Sequence, residues 1–239
     1  REIPEVFTTL DKDEEVRAIV VRGSGENFSY GLDLRAMIPE LAPLVMGQQL
    51  AAERTKLLDL IFELQRAFDA VARCRKPVIA AVSGWCIGGG LDMIAACDVR
   101  LASSDARFSL REAKVAMVAD LGSLQRLPAI IGEGATRELA FTGKDIDAAR
   151  ALRIGLVSDV HESHDALFAA AHAMADEIAN NPPLVVQGIK RVMNETSETR
   201  VAAGLRHVAL WNSAFLQSND LAEALGAFAE RRPAKFTGK

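Results

Sequence analysis

The chain has 239 residues, 49% of them apolar, and a formal net charge of −4 with both signs interspersed. That is enough for one large domain, or a domain plus an extension, and it excludes a disordered chain. No apolar run reaches the roughly 18 residues of a membrane helix, no secretory pattern opens the chain, and neither a basic footprint nor an aromatic platform marks a nucleic-acid partner.

The opening, Arg1 to Leu10, reads as an element cut short. Val16 to Val21 predicts a strand, closed by Gly23-Ser24-Gly25, and a loop with Phe28-Ser-Tyr-Gly-Leu-Asp-Leu34 follows. From Gln48 to Ala72 the apolar residues Leu57, Ile61, Leu64, Phe68 and Val71 recur in steps of four and three, which predicts a helix. Val78 to Val82 is a short apolar run after Pro77 and reads as a buried strand. Ser83 and Gly84 follow, then Gly88, Gly89 and Gly90, then a short buried helix through Ala96. Val99–Ala102 and Arg107–Leu110 read as strands. Leu121–Ile131, Glu133–Phe141 and Asp147–Arg153 read as short helices, with Gly132, Gly143 and Gly155 as punctuation. Leu156–Val160 is the last predicted strand. Helices are expected over 165–179, 184–194, 201–217 and 221–230. Strands alternating with helices, then helices alone, predict an α/β core of βαβ-type units up to residue 160 and a helical region over 161–239. The apolar positions of that last region exceed what one small core needs, so part of it is expected to pack on a sister subunit.

The stretch Lys76–Asp98 carries the chemistry. A strand runs into a glycine turn and then a helix start, where backbone N–H groups lack partners and the dipole is positive. Glycines there let a ligand oxygen approach the bare amides. The spacing fits neither phosphate loop, because Gly90 is followed by Leu91 and Asp92 rather than Lys-Ser/Thr, and Met93 stands where a third dinucleotide glycine would be. Asp92 would repel a phosphate. Beside an oxyanion-binding turn it makes better sense as an acid/base group next to a developing enolate.

Several candidates have a plain reading beside the functional one. Gly31 either makes an ordinary turn or, with positive φ, aims the N–H of Leu32 into a cleft. Asp92 and Asp120 lie among apolar neighbours, where desolvation raises a carboxyl toward neutrality. Asp120 could equally cap the helix starting near Leu121, and Glu112 could form an exposed pair with Arg111. Cys86, in Gly84-Trp-Cys-Ile-Gly88, matches a nucleophile elbow with Cys in place of Ser. Its four possible histidine partners, His161, His164, His172 and His207, all come late, and a small buried thiol is the plainer reading. The three cysteines, Cys74, Cys86 and Cys97, have no metal spacing, so no metal site is expected, and a reduced cytoplasmic protein fits.

Taken together, FSYGLDL, KPVIAAVSGWCIGGGLD and FSLREAKVAMVADLGSLQRLP resemble the crotonase superfamily of enoyl-CoA hydratases and isomerases, over nearly the whole chain from Val16 onward. The resemblance implies a spiral of ββα units (residues 1–160) holding an acyl-CoA site. It also implies a helical C-terminal region (161–239) that builds homotrimers or homohexamers. It implies an oxyanion hole from the N–H groups of Leu32 and Gly89, with Tyr30, Gly31, Asp33 and Gly88 lining the substrate site. Hydratases of the family carry Glu at the place of Asp92, and usually glycine at that of Asp120. The trio Asp92, Glu112 and Asp120 is similar to that of Δ3,5-Δ2,4-dienoyl-CoA isomerases. By that likeness Asp120 and Glu112 transfer the protons and Asp92 tunes Glu112, in fatty acid β-oxidation. No cofactor is expected, since coenzyme A is part of the substrate.

There are departures. The strand hairpin with which the family usually begins is absent before Arg1–Phe7, so the chain is expected to be an ordered fragment. Tyr30 stands where Ala is common, beside the expected adenine site, and Arg35, Lys235 and Lys239 are candidate cations for the phosphates. The rival readings are an enoyl-CoA hydratase or Δ3-Δ2 isomerase on the same scaffold, a Cys86 acyl-CoA hydrolase, and a non-catalytic acyl-CoA-binding protein.

Overall fold

The computed structural model describes residues 2–46 and 50–238, apart from the side chains of Leu34, Arg35, Ile38 and Glu40. Gln48, the expected start of the first long helix, lies outside them, as do Lys239 and the side chain of Arg35.

After helix α1 (Glu2–Lys12) the chain repeats one path. A strand enters a first sheet, the chain steps sideways into a second layer, and helices return it. The first turn is β1 (Ile19–Arg22), a bridge from Ser29 to Cys86, α2 (Leu34–Val45) and α3 (Ala51–Arg73). The second is β2 (Val78–Val82), β3 (Trp85–Ile87) and α4 (Gly89–Ala96); the third is β4 (Val99–Ser103), β5 (Arg107–Ser109) and α5 (Ser123–Thr142). Then come β6 (Asp145–Asp147), α6 (Ala148–Arg153), β7 (Asp159–His161) and α7 (His164–Ala179). Helices α8 (Pro183–Phe215) and α9 (Asn219–Glu230) finish the chain. The first sheet has the order β1-β2-β4-β7, all parallel; the second has β3-β5-β6, with β3 and β5 parallel and β5 and β6 antiparallel. This is the expected spiral of ββα units.

Parallel strands need covered faces, and β2 shows both. Val78, Ala80 and Val82 join the central core with Phe68, Val71, Leu91 and Phe108. Ile79 and Ala81 point the other way, against Leu101 and against Leu167 and Ala171 of α7. All five β2 residues are buried. Helix α3 bridges two cores, with Phe68 and Val71 in the central one and Leu57 and Ile61 in a second one beside Ala209 of α8 and Leu216 just past its end.

Several boundaries differ from the sequence expectation. Helix α2 forms despite Pro39 and Pro43, and β3 and β6 are additional three-residue strands. Helix α5 is, as expected, two helical segments that meet at Gly132, whose backbone is non-helical (φ 78°, ψ 158°). The last strand is Asp159–His161; Leu156 and Val157 are buried ahead of it, outside any strand. The helices expected over 184–194 and 201–217 are one continuous 33-residue α8.

Candidate active site

The loop after β1 is stitched beside β3. Phe28 N–H donates to Ser83 O (2.8 Å), Ser29 N–H to Trp85 O (2.9 Å), and Ile87 N–H to Ser29 O (2.9 Å). Gly31 then turns with φ 83°, where a Cβ would stand 2.8 Å from Ile87 O, so only glycine fits. The three glycines opposite are each used differently. Gly88 has φ 52° and donates to Ser109 O (3.0 Å). Gly90 crosses Ser29 so closely that a Cβ would lie 2.9 Å from the serine Cβ. Gly89 faces the Gly31 turn: its nitrogen is 3.2 Å from where a Gly31 Cβ would stand, and Leu32 N is 3.9 Å from where a Gly89 Cβ would stand. The amides of Leu32 and Gly89 are thus neighbours. Among the described residues neither N–H donates a hydrogen bond, and Gly89 opens α4, where the dipole adds positive potential.

Three carboxyls lie close enough to raise one another's proton affinity, and one of them, Glu112, faces the Gly88 turn. Asp92, on α4, is 1% exposed, and its Oδ1 accepts from the backbone N–H of Ser123 (2.6 Å) and from the Ser123 hydroxyl (2.5 Å). Burial pushes it up to about 6; the Ser123 bonds oppose that, the Asp120 charge adds to it and Arg126 offsets part. Glu112 opens a 3-10 turn, Glu112–Val115, directly after β5. Its Oε2 is buried without a hydrogen-bond partner among the described residues, and Oε1 lies 3.2 Å from where a Gly88 Cβ would stand. Burial first, then the Asp92 charge, raise Glu112 to about 8. Asp120 is raised mainly by burial, against a hydrogen bond from Asn212 Nδ2 to its Oδ2 (2.7 Å). The site therefore combines bare donors with three acids whose proton affinity burial raises, Glu112 to about 8. That combination suits proton transfer beside a carbonyl whose oxygen takes up charge.

The plain readings of two acids are corrected. Asp120 is not a helix cap, because α5 starts at Ser123 with Gly122 ahead of it. Glu112 does not pair with Arg111, whose guanidinium meets Asp145 instead. Of the other candidates, Tyr30 is 62% exposed, and Asp33 accepts from Ala36 N–H (3.1 Å) at the start of α2. Lys235 N–H donates to Glu223 (2.8 Å) near the chain's end. Cys86 is fully buried in β3, and burial drives its thiol well up, against thiolate chemistry. His164 pairs with Asp105, and His161 lies 3.9 Å from Asp159, so neither serves Cys86. Among the described residues no group of His, Cys, Asp and Glu could hold a metal ion.

Sequence reasoning missed three residues that hold the acids: Ser123, Asn212 and Gln65. One signal was available. Asn212 is the polar residue on the otherwise apolar buried stripe Leu205, Val208, Ala209 and Leu216.

A spiral of ββα units with free amides over buried acids defines a protein that handles an enolate. The chain belongs to the enoyl-CoA hydratase/isomerase family, whose model matches residues 1–239. Among curated relatives it is similar to the mitochondrial Delta(3,5)-Delta(2,4)-dienoyl-CoA isomerase of Dictyostelium discoideum, 44% identical over 97% of this chain and 78% of the relative. It is also similar to the peroxisomal Delta(3,5)-Delta(2,4)-dienoyl-CoA isomerase of Arabidopsis thaliana, 41% identical over 98% of this chain and 84% of the relative. Among solved structures, an enoyl-CoA hydratase from Mycobacterium avium subsp. paratuberculosis superposes with a TM-score of 0.83 at 27% identity, covering 99% of this chain and 86% of the other.

Proposed function

We propose that the chain isomerises a 3,5-dienoyl-CoA to the 2,4-dienoyl-CoA, a step in the breakdown of unsaturated acyl chains. A proton leaves the carbon beside the thioester, the electron pair delocalises along a conjugated run of six carbons, carbonyl included, and onto the thioester oxygen, and a proton returns four carbons further along. No atom is lost overall. The donors of Leu32 and Gly89 hold the oxygen's developing charge, worth about 3–4 kcal/mol per donor in comparable sites. Gly88 abuts Glu112 and precedes Gly89, so Glu112 serves the thioester end and Asp120 the distal end. Asp92 keeps Glu112 a strong base by adding its charge. The relay asks for no resident cofactor; coenzyme A comes with the substrate.

The observation that carries this reading is, among the described residues, a Glu112 Oε2 buried without a partner on a carboxyl that faces Gly88, next in the chain to one of two amides that donate no hydrogen bond. The names of the curated relatives support it. A hydratase reading fares worse, because Asp92 is sealed from solvent by Ser123 and is poorly placed to hold a water. The test is to offer a 3,5-dienoyl-CoA and a 2-enoyl-CoA separately. Conjugation of the first without hydration of the second is expected. Asp120→Asn should lose most isomerase turnover, by roughly 10²-fold or more, while still binding acyl-CoA. Full turnover in that variant removes Asp120 from the mechanism.

Assembly as a homotrimer or homohexamer through the 161–239 region follows from the same reading. Leu184, Ile189, Val192 and Met193 on α8, and its ring pair Trp211 and Phe215 (4.7 Å between centroids), are exposed apolar surface. Light scattering decides it. The cytoplasmic address stays a proposal on three buried, unpaired cysteines, beside relatives named mitochondrial or peroxisomal. No helix among the described residues is long and apolar enough to cross a membrane.

A further inference from the structure

Asn212 sits on α8, 92 residues from Asp120 in the chain, and is 2% exposed. Its Nδ2 donates twice, to Val118 O (2.8 Å) and to Asp120 Oδ2 (2.7 Å). A second buried amide does the matching job for the backbone. Gln65 Nε2, from α3, donates to Asp120 O (2.7 Å) and Leu205 O (3.1 Å). The loop carrying the acid is therefore gripped from two helices. Its main chain is fixed by Gln65, and one carboxyl oxygen is fixed by Asn212. Among the described residues no other residue donates to the second oxygen, Oδ1.

The choice of an amide has a physical reason. A lysine or arginine at this place would also hold the carboxyl, but a full positive charge beside an acid lowers its pKa by about 1–3 units. A neutral donor fixes the geometry and leaves most of the raised proton affinity intact. The acceptors on both sides, a carbonyl and a carboxylate, also dictate which end of the amide faces them.

We propose that Asn212 is a positioning residue for the isomerisation, occupying Asp120 Oδ2 so that Oδ1 is the oxygen that exchanges the distal proton. This rests on the reading of Asp120 as one of the two proton-transferring acids. It makes one end of the relay depend on α8, the helix that also carries the exposed Trp211 and Phe215.

The experiment runs wild type, Asp120→Asn, Asn212→Leu and Asn212→Ala on a 3,5-dienoyl-CoA in heavy water. Deuterium is read at each reacting carbon by mass spectrometry, and octanoyl-CoA binding by calorimetry reports an intact site. In Asn212→Leu, kcat is expected to fall roughly 10- to 100-fold with KM within about twofold of wild type. Deuterium entry at the distal carbon should lag that beside the thioester. A purely structural role would slow both carbons together, and that result overturns the proposal, as does wild-type turnover. If the leucine variant does not fold, the alanine variant carries the same readout. Loss of the fold in both assigns Asn212 to core stability and also overturns it. A wild-type protein that moves no double bond, or a fully active Asp120→Asn, defeats the parent reading instead.

Discussion

Gly88 and Glu112 confront each other across the end of β3: a methyl carbon on Gly88 would stand 3.2 Å from Glu112 Oε1. Gly88 also holds φ 52° and ψ −117°, which side chains resist. Gly88→Ala therefore has two consequences. The backbone strain costs about 1–2 kcal/mol, or a fall of about 2–8 °C in Tm for a chain of this size. The methyl also pushes the carboxyl off its position, and kcat falls by roughly tenfold or more. Gly25→Ala, where a Cβ meets open space, serves as the control and changes stability by less than about 0.5 kcal/mol. Thermal melts and the dienoyl-CoA assay on both variants check this.

The pH profile follows from the protons the acids share. Turnover needs one of Glu112 and Asp120 ionised and the other protonated. Glu112, the base at the thioester end, can take a proton only once its own, held up to about 8, has left. The expected profile therefore rises with pH along an acid limb whose apparent pKa is near 8, a value belonging to the coupled group rather than to one residue. The Asp92 charge helps raise Glu112, so Asp92→Asn should move that limb to lower pH. An unmoved limb in Asp92→Asn would show that Asp92 does not tune Glu112.

Stability carries the same signature with a definite sign. The folded chain holds Glu112 at about 8, above its ordinary 4.5. Between those values the unfolded chain has released a proton that the folded chain keeps. Rising pH therefore favours unfolding across that window, and the slope ends above about 8. Asp92, raised from 3.8 to about 6, adds a similar decline at lower pH. Wild type is expected to lose Tm from pH 6 to pH 8, and Glu112→Gln to show a flatter course over that range. The slope is the measured quantity, because glutamine brings its own unpaired amide. Equal slopes would mean that Glu112 titrates normally.

Which parts were legible in sequence depends on how local their causes are. Strand β2 has the limits that its apolar run between Pro77 and Ser83 predicts, because burial on both faces leaves a continuous run. Helix α2 was invisible because Pro39 and Pro43 contradict a helix, yet its Leu41 and Leu44 pack on the second core. Strand β3 is three residues long and takes its order from Ser29 and Phe108, both distant in sequence. The polar stretch Glu195–Arg200 reads as a break, but it is a solvent-facing part of α8. In the site, the glycine turns and the acids were readable from residue type and spacing. Their supports were not: Ser123 reaches Asp92 across 31 positions, Gln65 reaches Asp120 across 55, and Asn212 reaches it across 92. Those partnerships exist only once the spiral has closed.

Cys86 provides the sharpest separation between isomerase and hydrolase. Its spacing between Gly84 and Gly88 fits a nucleophile elbow, and a thioester is a plausible target for a thiolate. The surroundings argue otherwise, for the thiol is fully buried and burial holds its proton firmly. A buried thiol here fills space between Val82, Leu91 and Phe108 in the central core. Cys86→Ala should therefore cost about 1 kcal/mol of stability through the small cavity it leaves, a fall of about 2–4 °C in Tm, with isomerase kcat within about twofold of wild type. No free coenzyme A should appear on acyl-CoA incubation with either protein, as a thiol reagent would report. Steady thiol release by wild type that vanishes in Cys86→Ala would move the chemistry from the carboxyls to the cysteine.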